Sequence, residues 1–157
     1  MSEQITDYLR RIEAARRLGN DTEHTHRPAL QSLLESLSDL IDVTNEPKRI
    51  ACGAPDLVVT RRQDGLILGY AEAKDVGVSL DEAAKSEQMR KRYLPALPNF
   101  ILTDYLEFRW FVNGALRNKF RPPCAKSDCY PGGGFVVPQG VLPNGYFVFG
   151  FQCSSGR

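Results

Sequence analysis

The sequence has no apolar run that approaches the length of a membrane-spanning helix, and its polar amino terminus does not resemble a secretory signal. It also has no internal repeat of the solenoid type. Its net charge is only +1, so any surface that binds nucleic acid must be local. Together with a hydrophobic content of 42% and a charged content of 25%, these absences indicate an ordinary soluble globular protein of the cytoplasm.

Patterns that bind zinc are equally scarce. The only two histidines, His24 and His26, have no cysteine or third histidine nearby. Cys124 and Cys129 lie close together in the carboxy-terminal part, but no fourth ligand accompanies them. The sequence therefore does not favour a zinc site, and a stable disulfide is not expected in a reducing cytoplasm.

The most informative stretch runs over residues 53–75. Two runs rich in β-branched and apolar residues, DLVVTRR and LILGYAEAK, flank Asp64-Gly65, which is a strong signal for a hairpin turn. Because the side chains of a strand alternate between its two faces, Glu72 and Lys74 share one face. The hairpin brings Asp56, at the start of the first strand, towards the same end of the sheet.

Two carboxylates and a lysine on adjacent strands suit metal-assisted chemistry. Hard cations such as magnesium prefer oxygen ligands, and a bound cation lowers the pKa of its water. A lysine can stabilise negative charge that develops on a phosphate. A cluster of solvated surface ion pairs is the alternative, because charged residues near strand ends are usually exposed. The apolar strand around Glu72 makes an unused charge costly, but the residues alone leave both interpretations open.

Longer segments narrow the interpretation. Pro55-Asp56 followed by Glu72-Ala73-Lys74 is similar to the PD-(D/E)XK nuclease motif. Around it, the segments THRPAL (25–30), TNEPKRIACGAPDLVV (44–59), GYAEAKD (69–75) and LPNFILTDYLEFRWFVNG (97–114) resemble the N-terminal nuclease region of type IIG restriction-modification enzymes. The resemblance implies an α/β, restriction-endonuclease-like fold with a mixed central sheet of roughly four or five strands and helices on both sides.

The resemblance also implies a magnesium-dependent DNA endonuclease site in which Mn²⁺ can replace Mg²⁺. Asp56 and Glu72 would ligate the metal, the backbone carbonyl of Ala73 would add a ligand, and Lys74 would position the nucleophilic water. Glu23 matches a further acid that this family often carries near its first core helix. A charge that favours the start of a helix is the alternative for that residue.

Local patterns predict the remaining elements. Pro28 fits the first turn of the second helix, and Ser79 is suited to cap the third. That third helix carries Gln88 and Tyr93, which resemble a Gln and Tyr pair of related nucleases, although the spacing is five here and four is usual. Its basic run, 90–92, is either a phosphate contact or a solvated face. Helices are predicted over 2–18, from about 28 with an apolar stripe that reaches 41, and over 80–94. Strands are predicted from 41 until Pro47 breaks the strand, over 99–103, and over 106–114, where Asn113-Gly114 indicates a hairpin turn with a return arm over 116–120.

The carboxy-terminal part has a different composition. Residues 1–120 are expected to form the nuclease-like domain, whereas residues 121–157 form a tail rich in Pro, Gly, Ser and Cys. We expect a loosely ordered tail in a truncated or frame-disrupted piece of a longer protein, with 141–151 as a candidate edge strand. Related full-length enzymes continue into a methyltransferase and a target-recognition region, and nothing here resembles their (N/D)-P-P-(Y/F) motif.

The sequence-based hypothesis is therefore a metal-dependent endodeoxyribonuclease that cuts double-stranded DNA as part of a restriction-modification system. It would act with methyltransferase and target-recognition domains that this chain lacks, and no membrane is involved. The sequence leaves open whether the isolated chain is active. Two alternatives stand beside this hypothesis: a catalytically inactive nuclease-like module that binds DNA or a partner, and a structural α/β domain.

Overall fold

A computed structural model describes residues 3–122, 135–141 and 147–152. Within these residues no helix is long and apolar enough to cross a membrane. The elements in chain order are α1 (Glu3–Arg17), α2 (Glu23–Glu35), β1 (Ile41–Asn45), β2 (Leu57–Arg61), β3 (Ile67–Ala73), α3 (Leu80–Lys85), a π-helical turn (Met89–Tyr93), α4 (Leu94–Ala96), β4 (Asn99–Thr103), β5 (Phe108–Val112), β6 (Ala115–Phe120), β7 (Phe135–Val141) and β8 (Phe147–Gln152).

The first six strands form one sheet in sequential order, β1 to β6. Neighbouring strands are antiparallel except for β3 and β4, which are parallel. A parallel pair needs a long crossover, and the segment with α3, the π-helical turn and α4 supplies it. The mixed α/β sheet confirms the predicted fold class. The sheet has six strands, more than the four or five expected, because both β1 and the return arm β6 join it.

The sheet is covered on both faces, as predicted. Along β4, Ile101 packs into a cluster with α1 and α2, whereas Phe100 and Leu102 pack into a second cluster with α3 and the π-helical turn. This division follows from the alternation of side chains along a strand. All five residues of β4 are buried, as expected for a strand that is covered on both faces.

Helix α2 differs from its prediction at both ends. It begins at Glu23, where the Thr25 hydroxyl accepts a hydrogen bond from the Thr22 backbone N–H at 3.0 Å. Pro28 therefore lies inside the helix and not in its first turn. The helix ends at Glu35, so the apolar stripe expected to reach residue 41 is interrupted, and Ile41 begins β1 instead.

The helix predicted over 80–94 is divided. Ser79 caps α3 as expected, since its hydroxyl accepts a hydrogen bond from the Glu82 N–H at 3.4 Å. After α3 ends, the Leu94 N–H donates to the carbonyl of Met89, five residues earlier. This wider turn contains one residue more than an α-helical turn. Met89 and Tyr93, four residues apart in this segment, are both buried in the second cluster.

The two described strands of the tail, β7 and β8, pair with each other in a separate antiparallel sheet. The segment 141–151, a candidate edge strand, contains β8, which pairs with β7. Cys124, Cys129 and Cys153 lie outside the described residues. The loose order of the tail stays a prediction.

Candidate active site

The hairpin of β2 and β3 forms as its turn signal predicts. Leu57 pairs with Ala71, and Gly65 at the turn has a φ of 71°, which glycine adopts without strain. Asp56 directly precedes β2, and its Oδ2 accepts a hydrogen bond from the Ala73 backbone N–H at 2.8 Å. The hairpin therefore holds Asp56 beside the Glu72-Ala73 peptide.

Glu72 and Lys74 form an ion pair on the strand face that alternation predicts. Ala71 and Ala73 are buried in the cluster with α1 and α2, so Glu72 between them is directed to the opposite face. The Lys74 Nζ donates to Glu72 Oε1 at 2.8 Å. The lysine side chain is 27% exposed and that of Glu72 only 7%. The acid is therefore desolvated, while the ammonium reaches solvent.

One oxygen of Glu72 is buried without a partner. Its Oε2 makes no hydrogen bond within the described part of the chain. Burial raises the pKa of Glu72, the negative charge of Asp56 raises it further, and the hydrogen bond from Lys74 opposes both. A buried, unpaired carboxylate oxygen is costly, and either a proton or a cation would remove the cost.

Asp56 is also buried, with 9% of its surface exposed. Burial raises its pKa, whereas the hydrogen bond from Ala73 and the charge of Arg27 lower it. Glu23 adds to the upward shift and Lys74 opposes it. Asp56, Glu72, Lys74 and Glu23 thus influence one another, as expected if the four predicted side chains converge.

Arg27 is an unpredicted member of the site. Its guanidinium is buried, and Nη2 contacts both Asp56 Oδ1 at 2.5 Å and Glu23 Oε1 at 2.6 Å. Nη1 donates to Glu46 Oε1 at 3.1 Å. We call Arg27, Glu23, Glu46 and Asp56 the Arg27 cluster. The four-residue spacing of Glu23 and Arg27 in the sequence indicates an ion pair between them if both lie on one helix. It does not reveal the contact of Arg27 with Asp56.

The site carries excess negative charge. Four carboxylates, those of Glu23, Glu46, Asp56 and Glu72, surround the two cationic side chains of Arg27 and Lys74, a formal charge of −2. Asp56 and Glu72 are the carboxylates that could hold a cation, and the unpartnered Glu72 Oε2 fits this role. Within residues 3–122 and the two tail strands, no three His, Cys, Asp or Glu side chains form a ready-made metal site.

Tyr93 lies against this site. Gln88 Nε2 donates to the Tyr93 hydroxyl at 2.9 Å, so the two side chains meet despite their five-residue spacing. A methyl group added at Gly53 would lie 2.9 Å from Cε1 of the Tyr93 ring. Burial raises the pKa of Tyr93, and the charges of Glu72 and Asp56 raise it further. The π-helical turn thus brings this pair beside the two acids.

Other candidate residues have structural partners. Asp104 accepts hydrogen bonds from the backbone N–H groups of Gly77, Leu106 and Glu107. It therefore stabilises the turn between β4 and β5. His26 is buried, and its Nε2 lies 2.8 Å from Asp21 Oδ2.

Comparison with known proteins identifies a structural neighbour. No protein-family model matches the chain, and no curated protein matches it. A solved structure of a DrdV–DNA complex matches with a TM-score of 0.63 and 21% sequence identity. The match covers 76% of this chain and 12% of the DrdV chain. The protein therefore has a mixed α/β fold similar to a small part of DrdV, with a six-stranded sheet flanked by helices.

Proposed function

We propose that this chain is a divalent-cation-dependent nuclease domain that hydrolyses phosphodiester bonds of double-stranded DNA. The observation that carries the proposal is the buried Glu72 Oε2, which has no hydrogen-bond partner among the described residues and belongs, with Asp56, to a site of formal charge −2. Mg²⁺ prefers carboxylate oxygens, and Mn²⁺ has similar preferences. A surface ion pair explains neither the burial of both acids nor the unpartnered oxygen.

The residues have distinct proposed roles. Asp56 and Glu72 hold Mg²⁺, and the carbonyl of Ala73 adds a third oxygen from the same strand. When bound, the cation lowers the pKa of a water and stabilises charge on the phosphate. The Lys74 ammonium orients the attacking water and stabilises the charge that develops on the phosphate. Glu23, whose Oε1 contacts Arg27, has an accessory role towards that water.

Two observations support DNA as the substrate. The similar DrdV fold is found in a complex with DNA. In addition, Arg90 and Arg92 in the π-helical turn are exposed and make no ion pair within residues 3–122. Lys48 and Arg49 are likewise exposed. They directly precede Ile50, which packs against the same hydrophobic cluster as the π-helical turn. These cations suit contacts with phosphates.

The wider context is also a proposal. The match covers only 12% of the DrdV chain. We infer that the chain is a nuclease unit of a cytoplasmic restriction-modification system. In that setting a methyltransferase and a target-recognition domain provide the sequence specificity.

A second candidate function is an inactive nuclease-like module that binds DNA or a partner. The ion pair between Arg27 and Asp56 favours it, because Asp56 already has a counterion. Metal binding distinguishes the two functions. An inactive module binds no Mn²⁺ at Asp56, whereas the nuclease binds it with both carboxylates.

The test combines calorimetric titration of Mn²⁺ with cleavage of plasmid DNA in Mg²⁺. The nuclease is expected to bind Mn²⁺ and to cut, and Asp56→Asn is expected to lose both properties while circular dichroism stays unchanged. Asp64→Asn is the matched control, because this exposed acid lies at the hairpin turn and forms an ion pair with Arg61. Unchanged Mn²⁺ binding in Asp56→Asn would contradict the proposal.

A further inference from the structure

Arg27 occupies an oxygen that the proposed metal ligand needs. Both carboxylate oxygens of Asp56 are engaged, Oδ2 by the Ala73 N–H at 2.8 Å and Oδ1 by Arg27 Nη2 at 2.5 Å. The Arg27 side chain is only 6% exposed, so water screens its charge little. A cation approaching Oδ1 therefore meets a fixed positive charge at hydrogen-bond distance.

The two acids differ in this respect. Glu72 pairs with Lys74 through Oε1 and leaves Oε2 without a partner. It can accept a cation without releasing any contact within the described residues. Asp56 must exchange or share the contact with Arg27. The two proposed ligands therefore differ: Glu72 has an oxygen available to a cation, whereas the corresponding oxygen of Asp56 is bound by Arg27.

Arg27 has alternative partners once it leaves Asp56. Its Nη2 also contacts Glu23 Oε1 at 2.6 Å, and Nη1 contacts Glu46 Oε1 at 3.1 Å. These two acids can keep the guanidinium charge compensated after it moves. A small displacement is sufficient, because Glu23 and Asp56 bind the same nitrogen.

We propose that Arg27 is an internal counterion that competes with a divalent cation for Asp56 Oδ1. Cation binding shifts the guanidinium from Asp56 onto Glu23 and Glu46. Arg27 is thus a positioning residue: it keeps Asp56 in place without metal, and it weakens the affinity for metal by the strength of its own ion pair. This inference rests on the proposed metal site and names the residue that sets its affinity.

The first test is calorimetric titration of Mn²⁺ into the wild-type chain, Arg27→Met and Arg27→Lys. Removing a buried charge at this distance is expected to tighten Mn²⁺ binding by about tenfold or more in Arg27→Met. Arg27→Lys retains the charge and is expected to bind close to the wild-type affinity. Equal or weaker binding in Arg27→Met, or the same tightening in Arg27→Lys, would overturn the inference.

The second test uses the unmodified protein, so it does not depend on a variant that folds. In a Mg²⁺ titration followed by nitrogen-15 NMR, the Ala73 amide reports occupation of the site. The guanidinium signals of Arg27 report its displacement. Both are expected to shift with the same midpoint.

The outcomes separate the two proposals. A shift of Ala73 with an unchanged Arg27 overturns the counterion inference and leaves the proposed metal site intact. If neither signal shifts and neither the wild type nor Arg27→Met binds Mn²⁺, the metal site itself is wrong. If only Arg27→Met binds Mn²⁺, the counterion inference holds, and the wild-type chain is the inactive module and not the proposed nuclease.

Discussion

The Asp56 carboxylate accepts a hydrogen bond from the Ala73 backbone N–H at 2.8 Å, across 17 residues of sequence. This bond fixes the acid that precedes β2 against the end of β3. Because Ala73 follows Glu72 directly, this hydrogen bond holds the Asp56 carboxylate next to the backbone of the residue that carries the second acid. Such preorganisation lowers the entropic cost of binding a ligand between them.

The first prediction concerns Lys74. We expect Lys74→Met to reduce the rate of DNA cleavage by about a hundredfold, because one positively charged donor is lost from the reacting phosphate. Mn²⁺ binding should persist or tighten, since the change removes a competing positive charge. Single-turnover cleavage and calorimetry measure the two effects. Lys85→Met is the control, an exposed lysine that pairs with Glu82. Cleavage at the wild-type rate in Lys74→Met would exclude the lysine from the mechanism.

The second prediction concerns Glu72 and pH in the absence of metal. Because the pKa of Glu72 is raised above 4.5 in the folded state, the folded protein binds this proton more tightly than the unfolded chain does. Its contribution to stability is therefore present at acidic pH and is lost as pH rises from about 4.5 through the raised pKa. Glu72→Gln is expected to be more stable than the wild type at neutral pH by about 1 kcal/mol.

Urea unfolding in EDTA over a series of pH values measures this difference. It should disappear below the ordinary carboxyl pKa, where both proteins are uncharged at this position. Saturating Mg²⁺ should stabilise the wild type and not the variant, because only the wild type binds the ion with this residue. A variant that is less stable than the wild type at neutral pH would refute the cost assigned to the buried carboxylate.

The third prediction concerns Gly53. Its φ of 143° disfavours a side chain, and an added methyl group would lie 2.9 Å from the Tyr93 ring. Gly53→Ala is therefore expected to lower the free energy of unfolding by about 3 kcal/mol. Gly65→Ala is the matched control: its φ is 71°, but nothing lies within 4 Å, so it should cost only about 1 kcal/mol. Denaturant unfolding of both variants measures the difference, and equal losses would mean that the Tyr93 contact is unimportant.

The fourth prediction concerns the exposed cations. Replacing Arg90 and Arg92 by glutamine should weaken DNA binding and reduce the slope of log K against log salt by about 2. The control replaces Arg10 and Arg17 of α1 by glutamine, which changes the net charge by the same amount. In the wild type these two arginines pair with Asp7 and Glu13. Fluorescence anisotropy with Ca²⁺ in place of Mg²⁺ measures binding at several salt concentrations. An equal change in both double variants would indicate a general charge effect and no specific contact.

Local sequence signals were sufficient to predict much of the sheet. Asp64-Gly65 and Asn113-Gly114 both mark hairpins that form, because glycine adopts the positive φ that these turns require. Gly65 and Gly114 have φ values of 71° and 76°. The alternation of side chains along β3 correctly places Glu72 on the face opposite to that of the buried Ala71 and Ala73.

Features that depend on distant contacts were not predictable in this way. Arg27 meets Asp56 across 29 residues of sequence, so its position depends on how α2 packs on the sheet. The division of the helix over 80–94 likewise follows from the burial of Met89 and Tyr93 against β4. The proximity of Asp56, Glu72 and Lys74 agrees with the hairpin argument, whereas Glu23 reaches the site from α2, which the hairpin does not position. The roles of Asp56, Glu72, Lys74, Glu23 and the Ala73 carbonyl stay predictions.

The π-helical turn has a consequence for insertions and deletions in this chain. A wide turn absorbs one surplus residue without rotating the side chains before and after it, so Gln88 still meets Tyr93. Deleting one residue there would leave an ordinary α-helical turn with the same two ends. A deletion between Gly53 and Asp56 cannot be absorbed in this way, because it would pull the Asp56 carboxylate away from the Ala73 amide. The length of the chain is therefore free to vary on the helical side of the site and is fixed on its strand side.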